Sequence, residues 1–283
     1  KLLPGKGTVA QRVNALRDQV AIPKDKLKPV FDAAIKECRA RSEKYIDLPA
    51  NENFVMEFVT NKPWSGYNWY KGNAQSLIQI NTEFPIYIDR AVDLGCHEGY
   101  PGHHAYNALL EKNLVIGKGW KEFSVYPLYS PMSLIAEGSA NYGIEMAFTD
   151  AERLAFEQKV LYPMAGLDPK LAKKYGDILK LTSKLSYADN DAAKNYLEGK
   201  WTKEQTVEWL VNVQLYPAEK AGQRIKFYDG LRGYVINYNL GKDLVKAYVM
   251  RHVTSKDPVV ARKQKWDAFR KLLSSPRLAS GIR

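Results

Sequence analysis

Cys96-His97-Glu98-Gly99-Tyr100-Pro101-Gly102-His103-His104 gathers three of the chain's four histidines around one acid. Histidine is the commonest transition-metal ligand, and a glutamate beside it is the usual general base for a metal-activated water. Further along, Ala136-Glu137-Gly138-Ser139-Ala140-Asn141-Tyr142 reads as a helix carrying a carboxylate. Two histidines, a flanking glutamate and a later carboxylate are the parts of a catalytic His₂Glu zinc site with one open position.

The spacing departs from the ordinary zinc-hydrolase helix, in which the histidines stand at i and i+4. Position 101 is proline here, and the available histidines fall at i+6 and i+7. On a straight helix these would be separated by about 9–10.5 Å along the axis. Two bonds of about 2.0–2.1 Å to one ion cannot span that gap. The helix must therefore break, and Tyr100-Pro101-Gly102 supplies the break: proline removes a backbone donor and glycine accepts unusual dihedrals. Spacing does not decide between His103 and His104. The Gly102-His103 pair looks like the Gly-His end of the ordinary motif, so His103 is favoured. His104 would then face the substrate as an electrophilic donor.

Glu137 is the candidate third ligand, against the alternative of a solvated helix-start glutamate. Asn141, one turn on, could accept the ring N–H of a ligand histidine, as metal-bound histidines require, and Glu145 is a weaker candidate for that role.

Outward from the motif, residues 8–20 and 24–43 carry apolar positions at helical spacing. Residues 53–60 and 76–81 are β-rich, and 63–70 between them has the Gly, Pro and Asn of an irregular loop. After Pro85 the pattern predicts helices near 85–98, 102–115, 131–148, 168–186, 202–214, 218–228, 236–252 and 258–273. The fold class expected is mainly α (α+β), with a small sheet just before the active-site helix.

The 283 residues suffice for one large domain, expected here over residues 1–283, with the option that it is the C-terminal part of a longer protein. The chain starts at Lys1 without methionine, so a processed or cut-down product is expected, soluble and either cytoplasmic or exported. No stretch approaches the roughly 20 apolar residues of a membrane span. The net charge of +11 is spread among interspersed acids and carries no nucleic-acid motif, so it fits solubility and general attraction of anions better than duplex binding. Cys38 and Cys96 make no metal-binding pair and no disulfide framework. Their number fits a reducing compartment, and Cys96 reads as a small buried hydrophobe.

The run His97-Glu98-Gly99-Tyr100-Pro101-Gly102-His103-His104 resembles the H-E-x-Y-P-G-H-H hallmark of domain-of-unknown-function family 885, which is mostly bacterial. Glu137-Gly138-Ser139-Ala140-Asn141-Tyr142 is similar to that family's E-G-W-A-L-Y helix, with Ser139 for tryptophan and Asn141 for leucine. Trp64-Ser65-Gly66-Tyr67-Asn68-Trp69-Tyr70, Ile80-Asn81-Thr82 and Tyr238-Asn239-Leu240-Gly241 extend the likeness over most of residues 1–250. It implies a zincin-like fold, similar to helical metallocarboxypeptidases and oligopeptidases. Family members are commonly longer, which implies a missing N-terminal helical region.

The function expected is hydrolysis of peptide bonds, of carboxypeptidase, dipeptidase or oligopeptidase type. His97, His103 and Glu137 would hold one Zn²⁺ per chain, and Glu98 would act as general base. Tyr238 is the candidate donor to the tetrahedral intermediate, as in similar helical peptidases, with Tyr234 as alternate. Arg224 and Arg232 are candidates for binding a substrate carboxylate, and strand 76–81 for the sheet edge that aligns an extended peptide. The rivals are a non-catalytic metal- or peptide-binding module and a basic nucleic-acid-binding protein. No residue pattern speaks to oligomeric state.

Overall fold

The computed structural model, which describes residues 2–282, begins with two helices, α1 (Val9–Asp18) and α2 (Leu27–Ser42). Strands β1 (Asn53–Val59), β2 (Gly66–Gly72) and β3 (Gln75–Asn81) follow. Next come α3 (Asp89–Leu94), α4 (His103–Leu110), α5 (Met132–Ala147), α6 (Asp150–Phe156) and the one-turn α7 (Tyr162–Met164). The chain continues through α8 (Leu171–Thr182), α9 (Tyr187–Leu197) and α10 (Lys203–Asn212). It finishes with α11 (Ala218–Leu231), α12 (Ile236–Arg251) and α13 (Pro258–Leu273). The protein is thus mostly helical with one small sheet placed before the histidine cluster, as the residue pattern predicts.

Local chemistry explains many of the boundaries. Thr8 with Gln11, Thr149 with Glu152 and Thr202 with Gln205 form reciprocal capping boxes that start α1, α6 and α10. Asp257 caps α13 by accepting from Val259 N and Val260 N, with Pro258 at the first helical position. Three π-helical turns, Gly95–Gly99, Glu111–Ile116 and Glu157–Leu161, extend α3, α4 and α6.

The sheet has the order β1-β3-β2, with β1 parallel and β2 antiparallel to β3. Two expectations change here. The segment read as an irregular loop forms β2, because Tyr67, Trp69 and Tyr70 suit a half-buried strand better than Gly66 and Asn68 disfavour one. Residues 76–81 lie in the central strand, so they are not a sheet edge; the edges are β1 and β2.

Helices α6, α7 and α9 also escape the apolar pattern. The buried face of α9 consists of Asp189, Ala192 and Ala193, which give almost no hydrophobic signal.

Three apolar clusters support the fold. One joins α1, α2 and α3 to β3 and α8; a second joins α4, α5, α12 and α13; a third joins α9, α10 and α11 to Tyr234 and Val235. Helix α5 lies against α12 with almost no gap. A Cβ at Gly138 would come 2.3 Å from the backbone carbon of Gly241, so glycine is required for this approach.

Cys38 of α2 and Cys96 form a disulfide across 58 residues of sequence, with Cα atoms 5.5 Å apart. This corrects the reading of both as unpaired: a separation of that length leaves no spacing signal. The bond staples α2 to the turn that carries His97. Crosslinks typically contribute about 2–4 kcal/mol and persist in oxidising compartments. Among the described residues, no helix is long and apolar enough to cross a membrane.

Candidate metal centre

His97 and Glu98 sit in the π-helical turn Gly95–Gly99, and His103 is the first residue of α4. The chain breaks between them at Tyr100-Pro101-Gly102, where the ligand spacing requires it. Gly102 N donates to Cys96 O at 3.0 Å. A Cβ at Gly102 would stand 1.8 Å from the carbonyl oxygen of His97, so only glycine lets the chain double back this tightly.

The fold folds His103 back onto His97, ring centroids 4.7 Å apart. Glu137 of α5 completes a group whose ligand atoms all lie within 4.8 Å of one another. His97 Nε2 and His103 Nε2 stand 3.2 Å and 3.5 Å from Glu137 Oε2. Tetrahedral zinc with bonds of about 2.0–2.1 Å separates its ligand atoms by about 3.3–3.4 Å. Glu137 Oε2 is buried and, despite those distances, lacks hydrogen-bond geometry to any described residue. An orphaned carboxylate oxygen facing two imidazole nitrogens is a donor set that could hold a metal ion.

Hydrogen-bond partners fix the orientation of these candidate ligands. Asn141 Nδ2 donates to Tyr238 O at 2.9 Å, which turns Asn141 Oδ1 toward His97 Nδ1 at 3.0 Å. An amide oxygen can only accept, so His97 carries its proton on Nδ1 and leaves Nε2 free for an ion. Tyr234 donates to Glu137 Oε1 at 2.8 Å, committing the other oxygen to the histidines. Tyr234 therefore orients the candidate ligand Glu137 and is not the free donor considered for it. Glu145 does not join this shell: Lys242 and Lys246 hold it at 2.6 and 2.8 Å.

His104 requires the largest correction. It is fully buried and faces away from the cleft, with Nδ1 2.8 Å from Ser76 Oγ and Nε2 2.8 Å from Glu52 Oε2. Adjacent residues on a helix point about 100° apart, so His103 and His104 cannot share a face. His104 is no electrophilic donor; it locks α4 to the sheet. Glu52 is also bound by Tyr100 and Arg39. Burial works against its charge, but His104, Tyr100 and Arg39 outweigh that and hold its carboxyl below the usual range.

Glu98 is buried, with Oε2 unpartnered among the described residues. Burial pushes its pKa up, against the opposing pull of His97 and His103. Glu137 goes the other way: burial raises it, yet His103 and His97 draw it well below the usual range. Two carboxylates side by side are thus tuned apart, one toward binding a proton and one toward staying charged.

A cleft of about 1660 Å³ opens over these groups. Tyr238 lines it, its ring 6.4 Å from that of His97, and burial with the nearby Glu137 charge pushes its phenol well up. Tyr67 of β2 lines it from the opposite element, and burial, Glu137 and Glu98 raise its phenol as well. Tyr67 falls within the family-like stretch 64–70 but has no role in the sequence reading, because its segment reads as a loop. Arg224 is committed elsewhere, with Nε 3.0 Å from both oxygens of Asp189, and Arg232 is exposed and outside the cleft lining. Neither is the free cation considered for a substrate carboxylate.

No family model matches the chain, and no curated protein matches it. Among solved structures it is similar to the "putative lipoprotein from Colwellia psychrerythraea", with a TM-score of 0.64 and 17% identity. The match covers 95% of this chain and 46% of that one, so the chain spans less than half the length of the protein it matches. At that identity the likeness shows the fold alone.

Proposed function

We propose that this chain is a zincin-like, zinc-dependent peptidase, with His97, His103 and Glu137 as metal ligands and Glu98 as general base. The observation that carries the reading is the orphaned Glu137 oxygen facing His97 Nε2 and His103 Nε2, with the buried Glu98 beside them. A zinc ion held there would supply Lewis acidity at the scissile carbonyl and make water acidic enough to attack near neutral pH.

The chain's own residues do the rest. Glu98 accepts the proton of the attacking water at its carboxylate and delivers it to the leaving amine. Its raised pKa suits both halves of that transfer. Asn141 keeps His97 in the Nδ1–H tautomer, and Tyr234 holds Glu137 in place. Tyr238 donates its phenolic proton to the developing oxyanion, and Tyr67 stands across the cleft as a second donor. Strand β2, an edge strand lining the cleft from Gly66 to Trp69, takes over the peptide-aligning role first considered for residues 76–81.

The likeness to family 885 supports the same reading through the His97–His104 motif. The disulfide and the lipoprotein neighbour favour an exported protein over a cytoplasmic one.

The experiment is a screen of blocked oligopeptides with zinc-loaded protein. Cleavage should stop on treatment with a chelator and return with zinc, and Tyr238→Phe should cut kcat by on the order of 10²-fold. Cleavage indifferent to chelator, or unchanged kinetics in Tyr238→Phe, would count against the scheme.

A further inference from the structure

Lys220, in the first turn of α11, is a half-buried cation in the wall of the cleft with no carboxylate partner among the described residues. Its ammonium donates to Ser65 Oγ at 3.2 Å and to Gln223 Oε1 at 2.7 Å. An ammonium has three donor protons, so one remains uncommitted. Gln223 is itself anchored, its amide donating to Lys62 O at 3.4 Å, so the ammonium is held in place.

The surroundings should disfavour a charge there. The first turn of a helix presents its positive dipole end, and Pro217 provides no side-chain cap. Arg90 and Arg224 add positive charge nearby. Asp189, the acid whose charge opposes them, is already bound by Arg224 and by Tyr228 at 2.5 Å. Burial first, then Arg90 and Arg224, push the pKa of Lys220 down to about 7. A cation held rigidly in a cleft against such opposition lacks its counter-ion.

The position relative to the reaction is defined by the chain. Ser65, which Lys220 contacts, precedes Gly66, and a Cβ on Gly66 would come 2.7 Å from Glu98 Oε1. An extended peptide advances about 3.3–3.6 Å per residue, so an anion at Lys220 sits within a few residues of the bond that Glu98 serves.

We propose that Lys220 is a specificity residue that binds a carboxylate of the peptide substrate, taking the role that Arg224 and Arg232 cannot fill. This rests on the peptidase reading above. The carboxylate is either the substrate's C-terminus or an acidic side chain.

The test uses zinc-loaded Glu98→Gln protein and calorimetry with three probes. These are acetyl-Ala-Phe-Ala as the free acid, the same peptide as its C-terminal amide, and an amide with glutamate as its last residue. The expected result is that the free acid binds on the order of tenfold tighter than the plain amide, and that adding Lys220→Met abolishes the difference. Preference for the glutamate amide, equally lost in Lys220→Met, assigns the site to an acidic side chain and sustains the proposal. Lys220→Met keeps the apolar stem that packs in the wall, and Lys220→Arg should retain part of the preference. Equal binding of all three probes, a preference that survives Lys220→Met, or binding of no probe overturns it. Native protein cleaving all three probes equally would leave the peptidase reading standing while this inference falls. Lysine-dependent binding without cleavage by native protein would do the reverse.

Discussion

Replacing Glu98 by glutamine should leave metal binding intact and reduce peptide hydrolysis by on the order of 10²–10⁴-fold. The side chain is buried beside the ligands and its carboxylate has an unpartnered oxygen, so the substitution removes a proton acceptor without changing shape. No candidate ligand atom is lost, since His97, His103 and Glu137 form the cluster that could hold the ion. Folding should be unharmed or improved, because burial disfavours the charge that glutamine lacks. Single-turnover kinetics beside metal analysis separates the outcomes. Hydrolysis within a fewfold of the native rate would remove Glu98 from the chemistry. Loss of metal together with activity would make it a ligand.

Gly138→Ala should be nearly as damaging although it touches no substrate. The added methyl would meet the Gly241 backbone at 2.3 Å, and backbone atoms cannot swing aside as a flexible side chain does. Helices α5 and α12 must separate, at a cost of about 1–3 kcal/mol or more for overpacking of this kind. Separation also displaces Glu137, the preceding residue, and strains the Asn141–Tyr238 hydrogen bond that sets the His97 tautomer. A lower Tm with weakened metal affinity is expected. Unchanged Tm and metal content would show that the two helices do not pack as closely as described.

That contact also explains why two motifs far apart in the chain belong together. Glu137-Gly138 and Tyr238-Asn239-Leu240-Gly241 meet at their glycines, which brings Glu137 and Tyr238 into the lining of one cleft. The sequence carries both motifs but not their juxtaposition. The candidate metal cluster was legible because histidine is scarce here and its chemistry is specific. The need for a break was legible because helix geometry forbids both histidines on one straight run.

The choice between His103 and His104 turned on the phase of α4, which spacing alone leaves open. His103 shares its face with Asn107, which lines the cleft, whereas His104 shares its face with buried Ala108. Glu52 and Tyr67 were invisible for other reasons. Glu52 acts through residues distant in sequence, and Tyr67 lies in a strand whose Gly66 and Asn68, with Pro63 shortly before, disguised it. The disulfide, β2 and the polar-faced α9 are likewise set by tertiary pairing that no local pattern reports.

The central claim is that His97, His103 and Glu137 hold a metal ion, and metal content measured by mass spectrometry on protein purified without chelator tests it most directly. About one zinc per chain in native protein, retained in Glu98→Gln and lost in His97→Ala, is the predicted result. No bound metal in native protein, even after incubation with zinc, would contradict it.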